Sequence, residues 1–326
     1  MSWFLITIIA YFLNAIAMVI DKTLLKKEIP NPIVYTFYIA LLGAVMMLLI
    51  VPFGFSIPAG LIIFISLVAG AVFIWALILM FLALRKDDAT RVTPMIGGLT
   101  PIFVFVLAWY ILQEQLTRNQ YLAFIFLLSG TFLISLDFTP KGQGILFWLK
   151  RKLALGPQSK RISIPQIRKV IWIALPSASL FSVAYILTKY VYQNTEFLTG
   201  FIWTRLGAFL AAMLLLLWPE NRKAIVKNFK KTSKSKSKQK SAGGKFLIGQ
   251  ACGGASALLI QYAISLGSVS LVQALQGLQY AFVFLIVLTL TTFLPKILKE
   301  EMSKEIFFQK VLAVFLIFIG LYFIAI

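Results

Sequence analysis

Arg205 stands inside the apolar stretch FIWTRLGAF, Phe201 to Phe209. A guanidinium held among apolar groups binds carboxylate or phosphate, or it reaches back to the nearest polar boundary with Trp203 as an interfacial anchor. Gln273, Gln276 and Gln279 recur every three residues. On a helix that spacing sets them within about 120° of arc. Such a stripe lines a polar cavity or supplies hydrogen bonds between helices. Asn14, Tyr185, Gln261, Tyr262, Trp75, Thr93 and Thr100 are further polar or aromatic groups in apolar surroundings, each with packing as its alternative role. Lys22 and Lys189 sit where apolar runs end, so a helix-end role is open to both. With no histidine and one cysteine, Cys252, the chain lacks a His-based triad, a Cys/His zinc site and an intrachain disulfide. Neither a cofactor nor a structural metal is implied.

The elements that must position these groups follow from composition. The chain has 326 residues, of which 60% are hydrophobic and 13% charged. A soluble domain carries about 25% charged residues, so this balance excludes an ordinary soluble protein. A bilayer core of about 30 Å is crossed by roughly 20 mostly apolar residues in a helix. Ten segments meet that measure: 3–20, 33–51, 61–84, 92–112, 120–136, 170–192, 197–218, 246–266, 269–294 and 306–326. Backbone groups facing lipid have no water partner, and barrel strands would be shorter and alternating, so the spans are expected as helices. Residues 1–4 offer no positive region for a cleaved leader, and the first segment reads as a membrane helix.

Every acidic residue falls in a loop or at a helix end, and 28 of the 31 basic residues fall in or beside the odd-numbered loops. Short basic loops stay in the cytoplasm, which places both termini outside the cell or inner membrane. The net charge of +20 therefore belongs to membrane orientation, and no module for reading nucleic acid is evident. The run KKTSKSKSKQKSAGGK is too polar and repetitive for a core, and a disordered basic loop is expected over 222–245. It either attracts anionic head groups or binds a partner. Residues 144–155 (GILFWLKRKLAL) are expected as an interfacial helix.

The two halves repeat each other. Gly98 to Leu107 reads GLTPIFVFVL and Gly277 to Ile286 reads GLQYAFVFLI. ILQEQLT, Ile111 to Thr117, has its echo in ILKEEMS, Ile297 to Ser303. Gly130 and Gly320 follow in the closing helices, and Lys22 and Pro52 match Lys189 and Pro219 at one offset. Five helices per unit make the second copy enter from the opposite side, and the shift of the basic loops between units agrees. The expected fold is an all-α integral membrane protein with ten transmembrane helices as two inverted five-helix repeats. Its parts are a first repeat at 1–138, a basic cytoplasmic linker at 139–169 and a second repeat at 170–326.

These residues resemble the EamA type of the drug/metabolite transporter superfamily. The resemblance rests on Ala83 and Leu84 before a charged turn, Pro101 in LTPIF, Glu114 in LQEQLT, Gln120 and Gly130. Ala123 stands where the family commonly has glycine, and in the second copy Tyr280 replaces the proline. The resemblance implies ten helices, a central cavity between halves and transport of a small metabolite or drug. It also implies cytoplasmic termini, against the charge count, which is retained here because members are thought to insert in either sense.

Glu114 precedes Thr117, which forms an S/T-x-x-Q capping box with Gln120, so turn stabilisation is weighed against ion coupling. Pro94, Pro101 and Pro176 are expected to kink or break their helices, and Gly249, Gly253 and Ala257 permit close helix approach. With no carboxylate or histidine in any span, proton coupling through the bundle is not expected. The function expected is movement of a small anionic or zwitterionic solute by alternating access, with a flippase for a lipid-linked phosphate or sugar as the alternative. An integral-membrane transferase would need a polar acidic catalytic loop, yet the even-numbered loops are short and no DxD-like cluster exists beyond Asp87 and Asp88. A receptor or scaffold would depend on the lysine tract at 230–242.

Overall fold

In a membrane-like chain, backbone polar groups are satisfied within each segment, and small polar side chains need local partners. Both conditions are met by helix. A computed structural model describes residues 2–24, 31–86, 89–135, 164–234, 240–293 and 304–326. Twelve α-helices occur among them: α1 Ser2–Leu24, α2 Pro32–Ile50, α3 Gly60–Lys86, α4 Ala89–Ile111, α5 Arg118–Ser135 and α6 Ile164–Asn194, then α7 Phe197–Leu214, α8 Pro219–Lys234, α9 Lys240–Leu266, α10 Val269–Ala274, α11 Gln276–Phe293 and α12 Lys304–Ala325. The described residues hold no strand. Buried hydroxyls return to their own helices, as when Thr7, Thr36, Ser66, Thr131 and Thr188 donate to the carbonyl four residues back.

Local signals set several starts. Asn31 caps α2 by accepting from the Ile33 N–H at 3.1 Å, with Pro32 in the first helical position. The Thr117–Gln120 box forms in both directions: the Thr117 N–H donates to Gln120 Oε1 at 2.9 Å and the Gln120 N–H to Thr117 Oγ1 at 3.4 Å. Ser268 caps α10 through the Leu271 N–H at 3.0 Å.

Among the described residues, seven segments are long and apolar enough to cross a membrane: Ser2–Ile20, Pro32–Phe53, Gly60–Leu84, Trp172–Asn194, Phe197–Leu217, Val269–Phe293 and Phe307–Ala325. The ten expected from sequence exceed that number. The described apolar parts of α4 and α9 are shorter, Met95–Ile111 and Ala251–Leu266, and α5 opens on the polar trio Arg118, Asn119 and Gln120.

Three other expectations differ from what is seen. Helix covers 222–234 and begins again at Lys240, where a disordered loop was expected. The cause is amphipathy: Ile225 is only 3% exposed and packs in the core cluster that contains Leu215. The segment at 144–155 lies outside the described residues, as do the side chains of Lys22, Thr93 and Pro94. α4 and α6 run unbroken through Pro101 and Pro176, whereas the expected helix 269–294 is interrupted at Leu275. There the Leu275 N–H bonds to Leu271 O, and the Leu278 N–H then bonds three residues back to Leu275 O, a tightened turn between α10 and α11.

Packing joins the two halves of the sequence. Ala17 lies at Gly253 and Trp3 at Gly267, so α1 and α9 run antiparallel. α3 and α6 run antiparallel through Phe73 on Phe181 and Ser177 Oγ donating to Ala76 O. α4 lies beside α6, where Ser182 Oγ donates to Thr100 O, and α1 lies beside α11 through Asn14 and Gln279. At the α5–α12 crossing a Cβ on Gly130 would stand 2.9 Å from Ala313 O, and one on Gly320 would stand 3.1 Å from Ala123 O. Gly70 and Gly207 bring the backbones of α3 and α7 close together.

Candidate functional site

α7 places Arg205 where α2, α3 and α6 converge. Its Cδ would lie 3.6 Å from a Cβ on Gly43, an ordinary contact distance that sets the arginine against α2. The guanidinium carbon stands 4.9 Å from the centre of the Phe201 ring and 5.9 Å from that of Phe73, a cation held over two aromatic faces. Tyr192 and Tyr185 act on it electrostatically, and among the described residues no carboxylate pairs with it. A partly buried cation without an anion is costly to hold, and an incoming anion relieves the cost.

Beside it is a cavity of about 20 Å³, room for about one water. Tyr185 and Thr188 from α6, Thr204 and Arg205 from α7, Gln261 from α9 and Phe73 from α3 face it. Its narrowness comes from Gly70: a Cβ there would meet the backbone of Thr204 and Ala208. Tyr192 OH donates to Gln261 Oε1 at 3.4 Å.

Towards α10 and α11 the polar surface continues. Gln273, only 2% exposed, faces the Tyr185 hydroxyl, and its Nε2 makes no hydrogen bond. The Tyr280 hydroxyl is buried without a partner and lies 2.6 Å from where a Cβ on Gly97 would be. Gln276 Nε2 reaches the same glycine at 3.5 Å. Tyr11 OH donates to Val272 O at 3.0 Å, tying α1 to α10.

The residues singled out from sequence thus separate into groups. Arg205, Tyr185 and Gln261 meet at the cavity, with Gln273 beside Tyr185 on its α10 side, while Gln276 lies against Gly97 of α4. Gln279 instead accepts from Asn14 Nδ2 at 2.9 Å and donates to Met18 Sδ at 3.4 Å, a helix-to-helix connection. Thr100 donates to Ile96 O within α4. Trp75 is 50% exposed, and Tyr262, 37% exposed, packs on Phe197 at a ring distance of 4.9 Å; neither faces the cavity. Phe73, Thr188, Tyr192 and Tyr280 were not singled out as site groups. Only Tyr280 carried a signal, standing where the first repeat has Pro101.

One end of the bundle is held by polar contacts. Lys189 Nζ donates to the carbonyls of Ile264 at 2.8 Å, Ser265 at 3.3 Å and Gly267 at 2.7 Å, so it closes the C-terminus of α9. Ser270 Oγ donates to Glu114 Oε2 at 3.0 Å, and the Glu114 N–H donates to Ala108 O at 3.1 Å. Ser56 and Thr199 hydroxyls lie 3.0 Å apart, and Trp203 Nε1 donates to Ser56 O at 3.3 Å.

Residues 1–136 match the model of the EamA-like transporter family. The match spans less than half of the chain, and over those residues the sequence is similar to that family. The EamA-like family is part of the drug/metabolite transporter superfamily, and the apolar helices make the chain a multi-pass membrane protein. No curated protein matches the sequence. A solved structure, described only as a crystal structure of a protein, is 15% identical to the chain, with a TM-score of 0.61; the match covers 99% of this chain and 96% of that one. At that identity the likeness is one of fold.

Proposed function

We propose that this EamA-like protein moves a small anionic or zwitterionic solute across the membrane by alternating access between two inverted five-helix units. The observation that carries the reading is Arg205, a cation with aromatic and hydroxyl neighbours and no carboxylate partner among the described residues. Tyr185, Gln261 and Gln273 supply neutral hydrogen-bonding groups around it. A carboxylate or phosphate would take both charge and donors from this set.

The packing supports the inverted arrangement. Under exchange of the halves, the α1–α9 pair becomes α6–α3 and the α1–α11 pair becomes α6–α4, and each of these pairs is packed. α10 and α11 together stand as the ninth span in this reading, with α4 and α5 as the fourth and fifth. The basic loops support an extracytoplasmic position for both termini. A cavity of 20 Å³ cannot hold a metabolite, so α3 must part from α6 and α7 for a solute to enter. On the side of Ser56, Glu114 and Lys189, release requires the Ser56–Thr199 and Glu114–Ser270 contacts to open, because each joins the two halves.

The experiment is a thermal-shift screen of the purified protein against amino acids, nucleosides and sugar phosphates, repeated with Arg205→Gln and Gln273→Ala. An anionic or zwitterionic ligand whose shift disappears in Arg205→Gln is expected. Binding of a lipophilic dication that survives Arg205→Ala overturns the assignment.

A further inference from the structure

We propose that the groove between the end of α7 and helix α8 is a binding site for an anionic phospholipid. The groove has a volume of about 610 Å³. Its apolar part is formed by Leu216, Leu217 and Val226, and its basic part by Arg222, Lys223 and Lys227. Leu217 ends the apolar span that begins at Phe197, so the groove lies where hydrocarbon gives way to head groups. Trp218, 56% exposed, stands at the same level, a position that suits its amphipathic ring.

The helix itself sets the two faces. Ile225 is buried and fixes α8 against the core. Val226 lies one turn from Arg222, and Lys227 one turn from Lys223, so cations flank an apolar strip instead of covering it. Leu217, at 73%, and Val226, at 44%, remain exposed although they line the groove. Glu220, the one acidic residue of α8, does not line it. A free phosphate would gain nothing from the apolar strip. An amphiphile uses both parts: its phosphodiester meets the guanidinium and the two ammonium groups, and its first acyl carbons cover Leu216, Leu217 and Val226. The surrounding sequence adds seven further basic residues from Lys230 to Lys245, which concentrate anionic lipid near the groove. The site requires only that the chain be a membrane protein, so it stands or falls separately from the solute bound at Arg205.

The test uses the full chain in nanodiscs of phosphatidylcholine with increasing phosphatidylglycerol, reading the melting midpoint and, by native mass spectrometry, the lipids retained. Preferential retention of phosphatidylglycerol is expected. Each cation at a membrane surface contributes several-fold, so R222Q/K223Q/K227Q should weaken retention on the order of 100-fold. K234Q/K236Q/K238Q removes the same charge farther along the sequence and should weaken it less. Val226→Asn keeps every cation and should also weaken retention. Equal losses in the two triple variants, full retention in Val226→Asn, displacement by inorganic phosphate, or no preference for phosphatidylglycerol in the unaltered protein would each overturn the site.

Discussion

Gly70→Ala should be among the most damaging single-methyl additions in the bundle. A Cβ on Gly70 would stand 2.1 Å from Thr204 O and 2.4 Å from Ala208 N. Both are backbone atoms and cannot rotate aside. Ordinary contact begins near 3.4 Å, so α3 and α7 must separate locally by ~1.3 Å, forfeiting dispersion contacts along the crossing. Overpacking typically costs 1–3 kcal/mol, and with backbone on both sides the expected loss is about 3 kcal/mol. At roughly 2–4 °C per kcal/mol this lowers the melting midpoint in detergent by about 6–12 °C. Gly253→Ala is the control, because its Cβ would lie 3.7 Å from Ala17, an ordinary distance. Alanine is a better helix former than glycine by about 1 kcal/mol, so that variant should be neutral or more stable. The partner change Gly207→Ala, 2.4 Å from Leu67 O, should add less on top of Gly70→Ala than it costs alone, since the first substitution has already parted the helices. Gly70→Ala melting together with Gly253→Ala would refute the close approach, and with it the account of why the cavity beside Arg205 is narrow.

Two further outcomes follow from the end contacts. Lys189→Met removes a cation shared by three carbonyls and should cost about 2–4 kcal/mol, read as a lower melting midpoint; an unchanged midpoint would mean that water replaces the ammonium group without loss. Gln113 closes α4 in the left-handed region at φ 53, with the Glu114 N–H reaching back to Ala108 O. Gln113→Gly should raise stability by roughly 0.5–1 kcal/mol, because the relief of the ~1–2 kcal/mol left-handed penalty exceeds glycine's extra chain entropy; a destabilised variant would show that the Gln113 bond to Tyr110 O matters more.

The helical framework was legible because apolar run length and the Thr117–Gln120 spacing are local properties, and the bundle uses them as they stand. Lys189 was legible as a helix-end cation, although the end it closes belongs to α9 and not to its own α6. Side-chain direction was not legible. Phe73 faces the cavity and Trp75, two residues on, faces outward, because the rotation of α3 is set by where α6 and α7 press on it. The interruption at Leu275 was hidden for the same reason, since proline marks Pro101 and Pro176 without breaking either helix, while no breaker marks the place that turns. The offset that relates Lys22 to Lys189 sets Tyr38 opposite Arg205, so the halves that repeat in outline are unequal in charge at this level.

The crossing of α5 and α12 carries a mechanical consequence. Gly130 rests on Ala313 as Gly320 rests on Ala123, and seven positions separate glycine from alanine on each helix. In the proposed alternating access, a joint that looks the same from either side would be unchanged when the two halves trade shapes, and would serve as a fulcrum that survives the swing without being remade. Bulk introduced on one helix alone would spoil that evenness and tilt the balance toward one resting posture.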